Sequence, residues 1–252
     1  MSRLCLAALT LCLWLTLPVA PVRAVIGGTA DTSPLARAGV MVLGSGGSIC
    51  SGVMLDDDVV LTAAHCVTGA AEHRVHFRDA DGRPVLLEIG ETVVHPQFDP
   101  DAIRTRRRSI DLALIRVSQP LPTQFEPATL SMQAPRAETR VRLAGFGLRD
   151  EADSSGATSG NFHSVELHVI EPYGPSSILI WLSGGGATPR GGCHGDSGGP
   201  ISRDGDVFAI TTWTTGNGAG SCGAMSQGVL VGPQRGWIED VAAGWNRHVA
   251  WR

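Results

Sequence analysis

The stretch Gly195-Asp196-Ser197-Gly198-Gly199-Pro200 sets a serine in a glycine-rich turn, where a hydroxyl and neighbouring main-chain amides can face the same point. A serine hydroxyl near its free pKa attacks carbonyl carbon poorly. It needs a base beside it, a carboxylate to orient that base, and N–H donors for the oxyanion that forms. The chain carries the other side chains elsewhere. Leu61-Thr62-Ala63-Ala64-His65-Cys66 ends in an imidazole, and Ser109-Ile110-Asp111-Leu112-Ala113-Leu114-Ile115 places a carboxylate at the head of an apolar, strand-like run. Taken singly, a glycine-rich turn with a serine is usually only a turn, and a histidine in an apolar run is usually a core residue. The joint presence of His65, Asp111 and Ser197, in that order, points to acyl transfer.

These three motifs, with Val25-Ile26-Gly27-Gly28 and the paired cysteines, resemble the trypsin-like (chymotrypsin-fold) serine proteases, over nearly everything after residue 24. The resemblance implies an all-β fold: two six-stranded antiparallel β-barrels with the active site between them and a C-terminal α-helix. The first barrel is expected over about 25–125, the second over about 126–232 and the helix over about 234–249 of a protease domain spanning 25–252. It also implies His65 as general base, Asp111 as the group that holds the imidazole's tautomer, and Ser197 as nucleophile. The N–H groups of Gly195 and Ser197 become the oxyanion hole. A non-catalytic binding protein on the same scaffold is the alternative, and such proteins usually lack a member of the His-Asp-Ser set; none is missing here.

The elements that must hold these groups are legible as short apolar runs between Gly, Pro, Asp and Ser clusters. Strands are expected near 39–43, 59–62, 85–89, 112–117, 140–144, 165–170, 177–182 and 207–213. Trp237, Ile238, Val241, Ala242 and Trp245 fall on one face at helical spacing after the breaker Gly232-Pro233. Residues 150–160 are acidic and Ser/Gly-rich and read as a mobile loop. Asp79-Ala80-Asp81-Gly82 reads as a plain hairpin turn rather than a calcium site.

A formal net charge of −4 over 252 residues supplies no basic field for nucleic acid. Residues 1–24, with Arg3, an apolar run and Val22-Arg23-Ala24 at the end, read as a signal peptide too short to span a membrane. The mature protein is expected to be secreted or periplasmic, without a membrane anchor, and to act on peptides or proteins, with protein inhibitors as possible partners. Its removal leaves Cys50, Cys66, Cys193 and Cys222, an even set in an oxidising compartment that sequence alone allows to pair in three ways. The resemblance selects Cys50 with Cys66 and Cys193 with Cys222. Without a C-x-x-C pair, no metal is expected, and the reaction needs no cofactor. The absence of further cysteines found in animal relatives fits a bacterial exported enzyme.

The resemblance further implies a primary substrate pocket walled by Gly191 and Gly192, by Thr212-Trp213-Thr214, and by Gly228. Gly191 at its base carries no charge, so a buried Arg or Lys side chain of a substrate would lose its solvation uncompensated. Thr214 is expected to narrow the mouth, favouring small or medium uncharged residues. Val25 is expected to pair its freed α-amine with Asp196, and cleavage after Ala24 would expose that amine directly. Arg104, Arg106, Arg107 and Arg108 read as a solvated loop, and His194 as a rim residue.

Overall fold

The computed structural model describes residues 25–105 and 107–252; the expected signal peptide, residues 1–24, and Arg106 lie outside the described residues. After a two-residue strand β1 (Thr29–Ala30), the strands β2 (Gly39–Gly44), β3 (Ile49–Asp56), β4 (Val59–Thr62), β5 (His73–Arg78), β6 (Pro84–Val94) and β7 (Ala113–Val117) follow. They close into a barrel in the order β2-β3-β4-β7-β6-β5. The chain then crosses over to β8 (Arg140–Gly145), β9 (His163–Ile170), β10 (Leu179–Ser183), β11 (Pro200–Arg203), β12 (Asp206–Thr215) and β13 (Met225–Leu230). These run β9-β10-β13-β12-β11-β8, the β8–β9 pairing closes the ring, and β1 lies on the outer edge of β9. All the ladders are antiparallel, so closure removes the free edges that an open sheet would present.

Each barrel has its own filling. Val40, Val42, Met54, Val60, Val75 and Ile115 pack inside the first, and Leu143, Val165, Leu167, Leu182, Ile201 and Phe208 inside the second. A third cluster welds them together: Leu55, Leu61, Leu112 and Leu114 meet Leu130, Ile210, Val229, Ile238 and Trp245 across the seam. Burying each such side chain contributes roughly 1.5–3 kcal/mol, so the two barrels are held as one body and the groove between them has a fixed width.

Strands β3, β5, β11 and β13 were not expected from the sequence. Pro200, Ser202, Ser226, Gln227 and Gly228 have little intrinsic strand preference, and pairing with neighbours on both sides makes strands of them. The C-terminal helix (Arg235–Gly244) is shorter than the expected 234–249. Its stripe behaves as packing: Ile238, Ala242 and Trp245 are buried. Asn246 then takes φ +57° and turns the chain away. The tail is extended, Leu130 N–H donating to the Ala250 carbonyl and Arg252 N–H to the Leu130 carbonyl, both at 2.8 Å. Arg247 reaches the first barrel, where its Nε and Nη2 donate to the buried Asp58 carboxylate at 2.8 and 3.0 Å.

The acidic segment 150–160 is not featureless. Asp153 accepts from the Ser155 hydroxyl at 2.5 Å and from the amides of Thr158 at 2.7 Å and Ser155 at 3.0 Å, and these bonds, the hydroxyl's foremost, hold its carboxyl well below the usual carboxylate range. At the other acidic turn, Asp79 Oδ1 accepts from the amides of Asp81 and Arg83 at 3.0 and 2.8 Å, as a hairpin requires. Among the described residues no helix is long and apolar enough to cross a membrane.

Candidate active site

His65 sits in a 3₁₀ turn (Ala64–Cys66) that follows β4, and Asp111 precedes β7, the strand paired with β4. That ladder brings the two side chains together although 46 residues separate them. Asp111 Oδ2 lies 2.7 Å from His65 Nδ1 and Oδ1 accepts the His65 backbone N–H at 2.9 Å. A carboxylate on Nδ1 selects the tautomer with its proton there and leaves Nε2 with a lone pair. The imidazole is about two-fifths exposed and the carboxylate about one-fifth, so the base faces the groove while its orienting group is shielded.

Ser197 comes from the second barrel, on the loop before β11. Its carbonyl accepts the backbone N–H of Ser51 at 2.7 Å, which pins the turn against the first barrel. The Cys50–Cys66 disulfide lies between the two halves of the site: Cys66 Sγ is 3.7 Å from His65 Nε2 and 3.7 Å from the Ser197 carbonyl oxygen. The reactive edge of the imidazole and the serine turn therefore meet over one sulfur. No hydrogen bond joins Nε2 to the serine hydroxyl among the described residues; such bonds are often long before substrate arrives.

The turn is built for amide donors. Gly195 has φ +99° and Gly198 φ +82°, a region that side-chain-bearing residues rarely adopt. The His194 carbonyl is tied down by the Leu148 N–H at 2.8 Å, so the Gly195 N–H on the opposite side of that planar peptide points away from the body of the loop. Neither the Gly195 nor the Ser197 N–H has an acceptor among the described residues. Ser51, fully buried, was missed by the sequence reading. Its Oγ donates to the Gly195 carbonyl at 2.8 Å and accepts the Phe146 N–H at 2.9 Å, while its own carbonyl accepts Thr62 Oγ1 at 2.7 Å. The signal available was a hydroxyl placed beside Cys50.

Asp196 turns the other way, into the second barrel, and is fully buried. Its oxygens accept the N–H groups of Gly147 at 2.9 Å and Cys193 at 2.8 Å. Burial pushes its carboxyl up to about 7, against the downward pull of those two amides. Val25 is also fully buried, and Ile26 exchanges both backbone hydrogen bonds with Gly191 at 3.0 Å, which threads the start of the domain beside the Asp196 turn.

The segments expected to wall the primary pocket are drawn together by the Cys193–Cys222 disulfide. Gly191 and Gly192 line one side. Opposite, on β12, the edge at 212–214 extends beyond the part paired to β11 and is open to an added strand. Thr214 crosses the space between: a Cβ placed on Gly192 would lie 2.7 Å from its Cγ2. Gly228 does not belong to the pocket. A Cβ there would strike Ile201, Ala209 and the Ile210 carbonyl, so this residue faces the barrel interior. Ser226, two residues earlier on the same face of β13, lies nearer the pocket, its buried Oγ accepting the Gly192 N–H at 2.9 Å. Arg190 is solvent-exposed, and His194 is exposed with Nε2 3.0 Å from Ser221 Oγ.

Two closed antiparallel barrels with an imidazole–carboxylate pair and a glycine-framed serine at their junction define a class, the chymotrypsin-fold serine proteases. The family model described as Trypsin matches residues 25–231, and the chain belongs to that family, a serine-type endopeptidase and hydrolase. It is 27% identical over 235 residues to the venom plasminogen activator Haly-PA of Gloydius brevicauda, covering 87% of this chain and 88% of that protein. It is 26% identical over 184 residues to mouse (Mus musculus) kallikrein-8, covering 69% and 68% respectively. Among solved structures, neuropsin, a serine protease of mouse brain, superposes with a TM-score of 0.69 at 20% identity, covering 86% of this chain and 99% of that one, a likeness of fold. These relatives are animal proteins and lend no support to the expected bacterial origin.

Proposed function

We propose that this protein hydrolyses peptide bonds through an acyl-enzyme formed on Ser197. His65 Nε2 takes the hydroxyl proton as Ser197 Oγ bonds to the carbonyl carbon, and Asp111 holds the imidazolium that results. The N–H groups of Gly195 and Ser197 receive the oxyanion. Collapse of the tetrahedral intermediate breaks the C–N bond, and the departing amine takes the proton from His65. Water then repeats the sequence on the ester, which returns the serine and releases the acid. The observation that carries this reading is the convergence of the Asp111-oriented imidazole and the Ser197 turn on the Cys66 sulfur.

The substrate lies along 212–214 as an added strand, and a protein inhibitor would present its backbone to the same edge. Its side chain before the scissile bond enters between Gly192 and Thr214 and must be small or medium and uncharged. The nearness of Thr214 Cγ2 and Ser226 Oγ to the Gly192 wall favours the small end of that range. After export, removal of residues 1–24 gives Val25 an ammonium that neutralises buried Asp196, so that export and activation are one event, and the mature domain, 25–252, works outside the cytoplasm.

Covalent labelling by a fluorophosphonate tests the assignment. Labelling is expected in the wild type and lost in Ser197→Ala; a folded, unlabelled wild type rules the reading out. N-terminal sequencing checks the maturation step: hydrolytic protein that begins upstream of Val25 refutes it.

A further inference from the structure

Thr214 is not held across the pocket by its own strand alone. Its hydroxyl donates to the Ser221 carbonyl at 2.9 Å, which fixes the rotamer that aims Cγ2 at Gly192. Ser221 is in turn gripped from outside the pocket. Glu151, on the loop between β8 and β9, accepts both the Ser221 N–H and the Ser221 Oγ–H through one carboxylate oxygen, each at 2.5 Å. His194 Nε2 lies 3.0 Å from the same Ser221 hydroxyl, in position to donate its N–H. The segment 216–220 that leads to Ser221 is glycine-rich and closed only by the Gly216 N–H on the Gly220 carbonyl at 3.2 Å and the Gly220 N–H on the Asn217 carbonyl at 3.1 Å, so it has little stiffness of its own. The loop that carries Glu151 is stiff by comparison, cross-linked around Asp153 and anchored to the serine turn through Leu148.

We propose that Glu151 is a specificity-determining positioning residue: through Ser221 it holds the Thr214 methyl across the neck of the primary pocket and so sets how large a substrate side chain can enter. This rests on the endopeptidase reading above and adds to it a control point outside the pocket. Glu151 touches neither substrate nor the reacting atoms. The chain runs from its carboxylate to Ser221 N–H and Oγ–H, and from the Ser221 carbonyl to the Thr214 hydroxyl. Loss of the carboxylate frees the glycine-rich segment, lets Thr214 rotate outward, and opens room for branched side chains.

The test uses two peptide p-nitroanilides that differ only in the residue before the scissile bond, alanine or leucine, with wild type, Glu151→Ala, Ser221→Ala, Thr214→Gly and the double variant Glu151→Ala/Thr214→Gly. The wild type should prefer alanine. Glu151→Ala should raise the leucine-to-alanine ratio of kcat/KM about tenfold, the scale on which a pocket distinguishes a few methylenes, chiefly through a lower KM for leucine. Ser221→Ala, which keeps one of the two bonds to Glu151, should give a smaller rise, and Glu151→Gln should restore most of the wild-type ratio. With glycine at 214 the ratio should no longer respond to Glu151, the non-additivity that marks action through Thr214. An unchanged ratio in Glu151→Ala, or an equal change in both backgrounds, overturns the proposal so long as each variant takes up fluorophosphonate at the wild-type rate. Absence of labelling in the wild type is a separate failure, that of the endopeptidase reading itself.

Discussion

Ser51 Oγ, on the first barrel, donates a hydrogen bond of 2.8 Å to the carbonyl of Gly195, on the second. This one hydroxyl couples the barrel that carries His65 and Asp111 to the turn that offers amides to the oxyanion. It is fully buried and also accepts from Phe146, so its removal strands a donor and an acceptor where water has no access. Ser51→Ala is expected to lower kcat about tenfold or more, on the scale of losing part of an oxyanion donor's alignment, with a smaller effect on KM. Steady-state kinetics on a peptide amide check this, and an unchanged kcat removes Ser51 from the positioning of the turn.

Asp196 yields a pH prediction. In a chain whose Val25 nitrogen is still an amide, the folded state holds the Asp196 proton up to about 7, whereas the unfolded state releases it near the ordinary carboxylate value of 3.8. The folded form therefore binds more protons between those values, and stability falls as pH rises through that window, by roughly 4 kcal/mol once both states are ionised. A chain beginning at Val25 places an ammonium beside the carboxylate and escapes that loss. Thermal melts of the two forms should nearly coincide at pH 4 and diverge most just above pH 7; parallel curves refute the Val25–Asp196 pairing.

Ser226 is expected to limit the pocket from below. Ser226→Gly removes the oxygen that accepts the Gly192 N–H and enlarges the space beneath Thr214. Cleavage after valine or leucine should gain relative to alanine, by about tenfold per well-filled methylene. Profiling on a mixed peptide library reads the shift.

Asp58 joins the tail to the first barrel. It receives Arg247 in a two-pronged bond, with Arg116 Nε at 3.2 Å, and its side chain is only 7% exposed. Asp58→Ala removes the carboxylate that ties Arg247 of the tail and Arg116 to the first barrel, and should lower stability through the loss of those charge-assisted hydrogen bonds. Urea unfolding should show a lower midpoint with an unchanged slope.

The sequence was most readable where chemistry forces residue type. The serine turn, the His65 motif and Asp111 each carry a local signature, and the four cysteines after residue 24 pair as the resemblance implies. The barrel strands with continuous apolar runs, such as β4 and β7, were equally clear. Of the strands that escaped notice, β11 and β13 are each held between two neighbours, one of them far along the chain, and no local pattern announces that. Pocket facing was misjudged for the same reason. Ser226 and Gly228 share one face of β13, so which of them meets the pocket depends on how far along that strand the pocket lies, and this is set by partners β10 and β12 rather than by any local pattern. Ser51 and Glu151 had no signature, because their partners lie 144 and 70 residues away.

The sulfur bridge from Cys193 to Cys222 fastens the strip that leads into the serine turn to the loop that Glu151 steadies. Reduction of that single bond would slacken both banks of the recognition notch while leaving the barrel interiors intact. Under the proposed function, a reductant is therefore expected to weaken substrate recognition before it unfolds either barrel.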